Sequence, residues 1–220
     1  MATRRPIDPV RFMSEVLRNP ETGRRFTLYP AQVRFLREAL TLTPDGRLPY
    51  PELVYGAPKK SGKTATAAMA MLYVVRVLGG PYAEGYCVAN DLEQAAGRVF
   101  QACARIAQAS PKLAADLKGA PSKDRIEFVN GATIQAIAND YAGAAGANPT
   151  FTVFDELWGY TSERAHRLWD EMVPVPTRTI SARLTVTYAG FEGESTILEA
   201  LYRRGLEGEV IATAEELMAA

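Results

Sequence analysis

Lys63 and Thr64 end the run Glu52-Leu-Val-Tyr-Gly-Ala-Pro-Lys-Lys-Ser-Gly-Lys-Thr64, in which an apolar segment feeds a Gly/Lys loop that can open a helix. That layout suits the binding of a phosphate chain. Gly62 lets the backbone approach a phosphate closely, and successive main-chain N–H groups plus the N-terminus of the following helix present partial positive charge to it. The ammonium of Lys63 is expected to reach the β- and γ-phosphates of ATP, and the Thr64 hydroxyl to sit on Mg²⁺. The full pattern G-x-x-x-x-G-K-[ST] requires glycine where this chain has Ala57, with Gly56 one residue earlier. A bare Gly-Lys-Ser/Thr arises by chance about once in ten chains of this length, so the loop alone decides little.

The run Phe151-Thr-Val-Phe-Asp155-Glu156 supplies a second half, a β-rich stretch ending in two carboxylates. A buried strand that delivers acids at its C-terminal end is where an open α/β sheet binds ligands. Asp155 is expected to hold Mg²⁺ directly or through water, and Glu156 to polarise an attacking water. The plainer alternative is a core strand followed by two solvated acids at a helix start. That alternative and a chance loop would have to hold together, in this order, to remove the phosphate chemistry.

Positioning these groups requires alternating elements. Helices are expected over 9–18 and 30–40, each with proline in its first turn. Turn-rich residues 41–51 lead to a strand over 52–56, and an alanine- and methionine-rich helix over 63–78 follows the loop before Gly79-Gly80-Pro81. A second buried strand spans 85–89. Asn90 with Glu93 forms an N-cap signal for a helix through about Ala109. Strands over 125–128 and 133–137 flank Asn130-Gly131, a hairpin signal. A Gly/Ala-rich loop over 140–149 precedes the acidic strand. Helices over 162–172 and 196–204 enclose another strand over 183–188. Strands alternating with helices give an α/β fold with a mostly parallel sheet and an added antiparallel hairpin.

The 220 residues, 47% of them hydrophobic, suffice for one sizeable core. No apolar run approaches the roughly 18 residues that a membrane helix needs, and the N-terminus has no signal-like pattern, so a soluble intracellular chain with no membrane partner is expected. Basic and acidic residues balance at 25 each, which excludes the broad electrostatic footprint of a basic nucleic-acid-binding domain. Any grip on DNA is then local. Arg24-Arg25 and Arg203-Arg204 are small basic pairs that suit either that grip or solvated surface. Cys87 and Cys103 read as reduced core thiols outside any metal cluster. His166, with Trp169 on the same stretch, reads as helix packing or surface.

The loop Ala57, Pro58, Lys59, Lys60, Ser61, Gly62, Lys63, Thr64, the run Asn-Pro-Thr-Phe-Thr-Val-Phe-Asp-Glu-Leu-Trp over 148–158, and Thr-Val-Thr-Tyr-Ala-Gly-Phe over 185–191 together resemble the ATPase domain of the large terminase subunit of tailed bacteriophages. The resemblance covers roughly residues 26–205. It implies an ASCE-type P-loop NTPase that uses ATP and Mg²⁺ to package double-stranded DNA into a preformed capsid. The implied partners are DNA, the portal protein, the small terminase subunit and further copies of the chain in a ring on the portal, in the host cytoplasm.

Residue by residue, the resemblance places the nucleotide loop on 57–64, with Lys63 and Thr64 as phosphate and metal ligands. Asp155 falls on the metal-binding acid, Glu156 on the catalytic acid and Thr187 on a coupling motif that links the γ-phosphate state to motion. Gln32 falls on the glutamine that reads the adenine edge, against the alternative of an exposed helical glutamine. Lys59 stands where relatives often have arginine, keeping charge and losing bidentate geometry. Ala145 stands where many relatives have an arginine that serves a neighbouring subunit, which leaves Arg98, Arg105, Arg125 and Arg164 as candidates for that role.

The expected organisation is a single ATPase domain over 1–220, with a helical extension to about residue 50, a core over 51–205 and a tail over 206–220. The family's nuclease domain is expected to be absent, since nothing after Leu206 supplies the acids a two-metal site needs. Three competing functions remain: a helicase-like NTPase, a nucleotide-gated docking module without turnover, and a small-molecule kinase.

Overall fold

The structure, a computed structural model, describes residues 6–89, 98–137 and 146–207. Six strands form one sheet: β1 (Glu52–Gly56), β2 (Glu84–Val88), β3 (Arg125–Glu127), β4 (Thr133–Ile137), β5 (Phe151–Asp155) and β6 (Ala182–Thr187). Their spatial order is β1-β6-β5-β2-β4-β3, parallel throughout except for the β3/β4 hairpin. β6 therefore lies between β1 and β5, with Gly56 in register with Thr187 and Asp155 with Val186. A strand from late in the chain thus separates the phosphate loop from the acids by its own width.

Residues of β5 and β6 are buried on both faces, as expected for central strands of a parallel sheet covered by helices. Alternation along the strands divides the core. Phe151, Val153 and Cys87 join a large cluster beneath the helices α1 (Pro9–Arg11), α2 (Pro30–Leu40), α3 (Lys63–Tyr73) and α4 (Val99–Ala109). Phe154, Tyr86 and Val88 face the other way, toward α6 (Glu163–Glu171) and α7 (Thr196–Glu207), where Tyr160, Trp169 and Leu201 pack. A short helix α5 (Pro111–Ala114) follows α4.

The small residues of α3 let it lie deep against the sheet, buried from Thr66 to Tyr73. The contact depends on Gly85 of β2, where a Cβ would stand 2.5 Å from Met71 Sδ and 2.8 Å from Val75 Cγ2. The helix then widens into a π-helical turn, Val74–Leu78, so the expected helical stretch to residue 78 is present with a looser last turn.

The first helix is shorter than expected. Asp8 caps it by accepting from the Arg11 N–H at 2.9 Å, and a π-helical turn, Phe12–Val16, ends it before Arg18. The Arg18 N–H turns to Ser110 Oγ at 2.9 Å, so tertiary anchoring takes the chain out of the helix. α7 runs past the expected end at Arg204 to Glu207. Cys87 and Cys103 are free and buried. No helix among the described residues is long and apolar enough to cross a membrane. The N-cap signal at Asn90, most of the loop over 140–149 including Ala145, and the tail after Glu207 lie outside the described residues.

Candidate functional site

The C-terminal ends of β1 and β5 open onto one cleft of about 1100 Å³. Lys59, Lys60, Gly62, Lys63 and Thr64 line it from the loop after β1, and Asp155 and Glu156 line it from the end of β5. The sequence-predicted loop and acids therefore share a single space. Each is placed by local chemistry.

The loop is tight because Ser61 Oγ donates to the Pro58 carbonyl at 2.7 Å and Gly62 takes a left-handed φ of 84° before α3 begins. Lys63 is buried, and its ammonium donates to the carbonyls of Ala57 and Pro58, each at 3.0 Å. Lys59 and Lys63 both hold their ammonium groups over the ring of Tyr188, 4.9 and 5.4 Å from its centroid.

Gln32 is buried rather than exposed. Its side-chain oxygen accepts from the Tyr29 N–H at 2.9 Å, and its nitrogen donates to Thr66 Oγ1 at 2.8 Å. Thr66 in turn donates to the Gly62 carbonyl at 3.1 Å, so Gln32 braces the start of α3 from behind the loop. It is not among the residues lining the cleft.

Thr187, at the end of β6, is buried and donates its hydroxyl to the Tyr188 carbonyl at 2.9 Å. Its own carbonyl accepts from the Ala57 N–H at 3.1 Å.

Asp155 sits deep in the cleft. Burial, reinforced by the neighbouring Glu156 charge, pushes its carboxyl up to about 6, while Arg98 and Lys63 pull the other way. Arg98, one of the four arginines considered for a neighbour, lines this chain's own cleft beside the acids. Arg125 pairs with Glu127 at 2.8 Å on the hairpin. Arg105 approaches Gln101 at 3.4 Å.

Glu156 has a left-handed backbone, φ 55° and ψ 54°, uncommon for a residue with a side chain. Its N–H donates to the Val186 carbonyl at 2.8 Å, and its carboxylate accepts from Trp158 Nε1 at 3.0 Å. Trp158, Tyr188 and Glu21 also line the cleft and had no role in the sequence reading. The first two lay within the quoted motif segments; nothing in the spacing marked Glu21.

The donor set fits Mg²⁺. Thr64 and Asp155 offer hard oxygen ligands on one cleft, and no group of three metal-binding side chains exists among the described residues. That is the arrangement for an ion held by one or two protein oxygens together with phosphates and water. His166 lies elsewhere, on α6, with Nε2 3.4 Å from Thr196 Oγ1.

At the opposite end of β5, Asn148 accepts from Arg178 Nε at 2.7 Å and donates its N–H to Glu84 Oε2 at 3.2 Å. The Asn-Pro before the acidic strand is thereby a structural anchor for it.

Comparison with known proteins gives a consistent picture. The chain has the fold of the HK97 bacteriophage large terminase, with TM-score 0.71 and 16% identity over 90% of this chain. The chain spans 41% of that protein's length. Two structures of the Thermus phage P74-26 large terminase ATPase domain, one a point mutant, align with TM-scores of 0.56 and 0.51 at 17% and 16% identity. They cover 96% and 97% of this chain and 79% of each matched chain. No curated protein sequence matches. The family model for the terminase large subunit ATPase domain matches residues 50–201, and the chain belongs to that family.

Proposed function

We propose that this chain hydrolyses ATP as the motor domain of a viral terminase large subunit and that hydrolysis drives double-stranded DNA into a procapsid. The observation that carries the reading is the convergence of Lys63, Thr64, Asp155 and Glu156 on one cleft at the C-terminal ends of parallel strands. In this reading the chain works in a homo-oligomeric ring on a portal protein, served by a small terminase subunit. The balanced charge of 25 against 25 supports a grip on DNA that is local and shared among copies.

Lys63 gives up the Ala57 and Pro58 carbonyls and places its ammonium on the β/γ-phosphates, as a point charge that stays through the reaction. Thr64 and Asp155 would hold Mg²⁺, which when bound would neutralise negative charge on the phosphates. Glu156 orients a water toward the γ-phosphorus and accepts its proton. An acid beside the metal-binding acid suits attack by water better than attack by an acceptor hydroxyl, which favours a hydrolase over a kinase.

The test is the ATPase rate of the chain with and without duplex DNA and portal. A supplied arginine is worth about 10³ to 10⁵ in rate, so activity per molecule should rise more than linearly with protein concentration or jump on assembly. Alanine at one of Arg98, Arg105, Arg125 and Arg164, the one that serves the neighbour, should suppress that rise without weakening ATP binding. Plasmid incubated with Mn²⁺ should remain uncut by this 220-residue chain. A dilute monomer turning over at full speed, indifferent to partners, would sink the motor reading.

A further inference from the structure

Resting on the reading of Glu156 as the water-activating acid, we propose that Trp158 is the positioning residue that sets the Glu156 carboxylate, through its indole N–H. The contact is specific in chemistry. An indole nitrogen only donates, and here it donates to Glu156 Oε2 at 3.0 Å. The other carboxylate oxygen makes no hydrogen bond among the described residues, so it is left for water.

The backbone around the pair explains why such a hold is needed. Glu156 leaves β5 in a left-handed conformation, with its N–H tied to Val186, and the chain turns at once into a single 3₁₀ turn, Leu157–Gly159. That turn brings residue 158 back over residue 156. A glutamate with three side-chain torsions on a short turn has many rotamers, and one fixed donor selects among them.

Trp158 is itself held on three sides. Its ring packs against Tyr188 at 5.4 Å and edge-on against Phe191 at 5.7 Å. Ser195 Oγ donates to the Trp158 carbonyl at 2.9 Å and accepts from the Phe191 N–H at 3.1 Å, closing the segment after β6 around it. Tyr188 carries Lys59 and Lys63 over its ring. One aromatic wall thus joins the acid to the loop lysines.

The experiment compares the wild-type chain with Trp158→Phe, which keeps a ring and removes the N–H. The expected result is a kcat lowered about ten- to a hundredfold, the range for a misplaced catalytic group, with KM, Mg·ATP affinity and melting temperature unchanged. Unchanged kcat, or parallel loss of kcat and ATP affinity, overturns the role. A second readout uses a different variant: in ¹⁵N-tryptophan-labelled protein the Trp158 indole resonance should move upfield in Glu156→Ala, which removes the acceptor, and a resonance that stays put overturns the contact. Absence of hydrolysis by the wild-type chain in every assembly would overturn the ATPase reading and Trp158 with it. Hydrolysis that Trp158→Phe leaves untouched overturns Trp158 alone.

Discussion

The N–H of Ala57 donates to the carbonyl of Thr187 at 3.1 Å, tying the first residue of the phosphate loop to the last residue of β6, backbone to backbone. The Thr187 side chain takes no part in that bond and donates instead to the Tyr188 carbonyl. Thr187→Ala should therefore leave the loop and ATP binding in place and hydrolysis partly intact, while DNA translocation stops. Packaging assays run beside ATPase assays check this. Equal losses in both would remove the coupling role.

Lys63→Ala deletes the ammonium that the loop presents. The charged hydrogen bonds it would make to phosphate are worth about 1.5–3 kcal/mol, so Mg·ATP should bind at least tenfold more weakly. Calorimetric titration measures it, with an unchanged melting curve showing that the fold survives. An unaltered dissociation constant would take the loop out of the account.

Glu156→Gln retains size and an acceptor oxygen but loses the basic carboxylate. ATP should bind as before, and turnover should fall by about 10² to 10⁴, the usual worth of a positioned base. Single-turnover kinetics separate the two steps. A mutant with wild-type kcat would reassign water activation.

Asp155 carries its proton to about pH 6, against 3.8 for an ordinary aspartate, mainly because it is buried. Between those values the folded chain holds a proton that the unfolded chain has released, so stability falls as pH rises across the window and stays lower above it. A shift of this size corresponds to about 3 kcal/mol. Asp155→Asn should then melt about 5 °C or more above wild type at pH 8 without nucleotide, lose the advantage near pH 4, and have no ATPase activity. Identical melting at both pH values would mean that the buried charge carries no cost.

Glu52 accepts from Arg183, which is buried against the Trp169 ring at 3.3 Å, and from Arg204 of α7. Glu52→Ala leaves the Arg183 charge without its carboxylate, which costs about 3–5 kcal/mol for a buried pair. Chemical denaturation should show that loss at an unchanged m-value. A cost under about 1 kcal/mol would place the pair among surface bridges.

The loop over 57–64, the acidic strand and the hairpin around Asn130-Gly131 were legible because each rests on short-range chemistry: a glycine before a helix, an apolar run ending in acids, a glycine at positive φ that lets the chain reverse. The aromatic wall was not. Trp158, Tyr188 and the loop lysines meet only because β6 inserts between β1 and β5, and strand order is not written in any local pattern. Gln32 was open between two roles for the same reason, since its partner Thr66 lies on a different helix. Asn148 carried a family resemblance, yet the residue that explains its placement, Arg178, follows on the far side of α6. Arg18 broke its helix for the hydroxyl of Ser110, a contact that helix propensity does not contain.

Two residues on the cleft, Lys60 at φ 63° and Glu156 at φ 55°, hold backbone conformations that favour glycine. Each costs roughly 1–2 kcal/mol relative to a relaxed residue. Selection for heat resistance alone would accept glycine at both positions, and would remove one cleft cation and the acid that Trp158 holds. Thermal selection and turnover thus pull these two positions in opposite directions, and a library sorted only on survival after heating would enrich inactive chains.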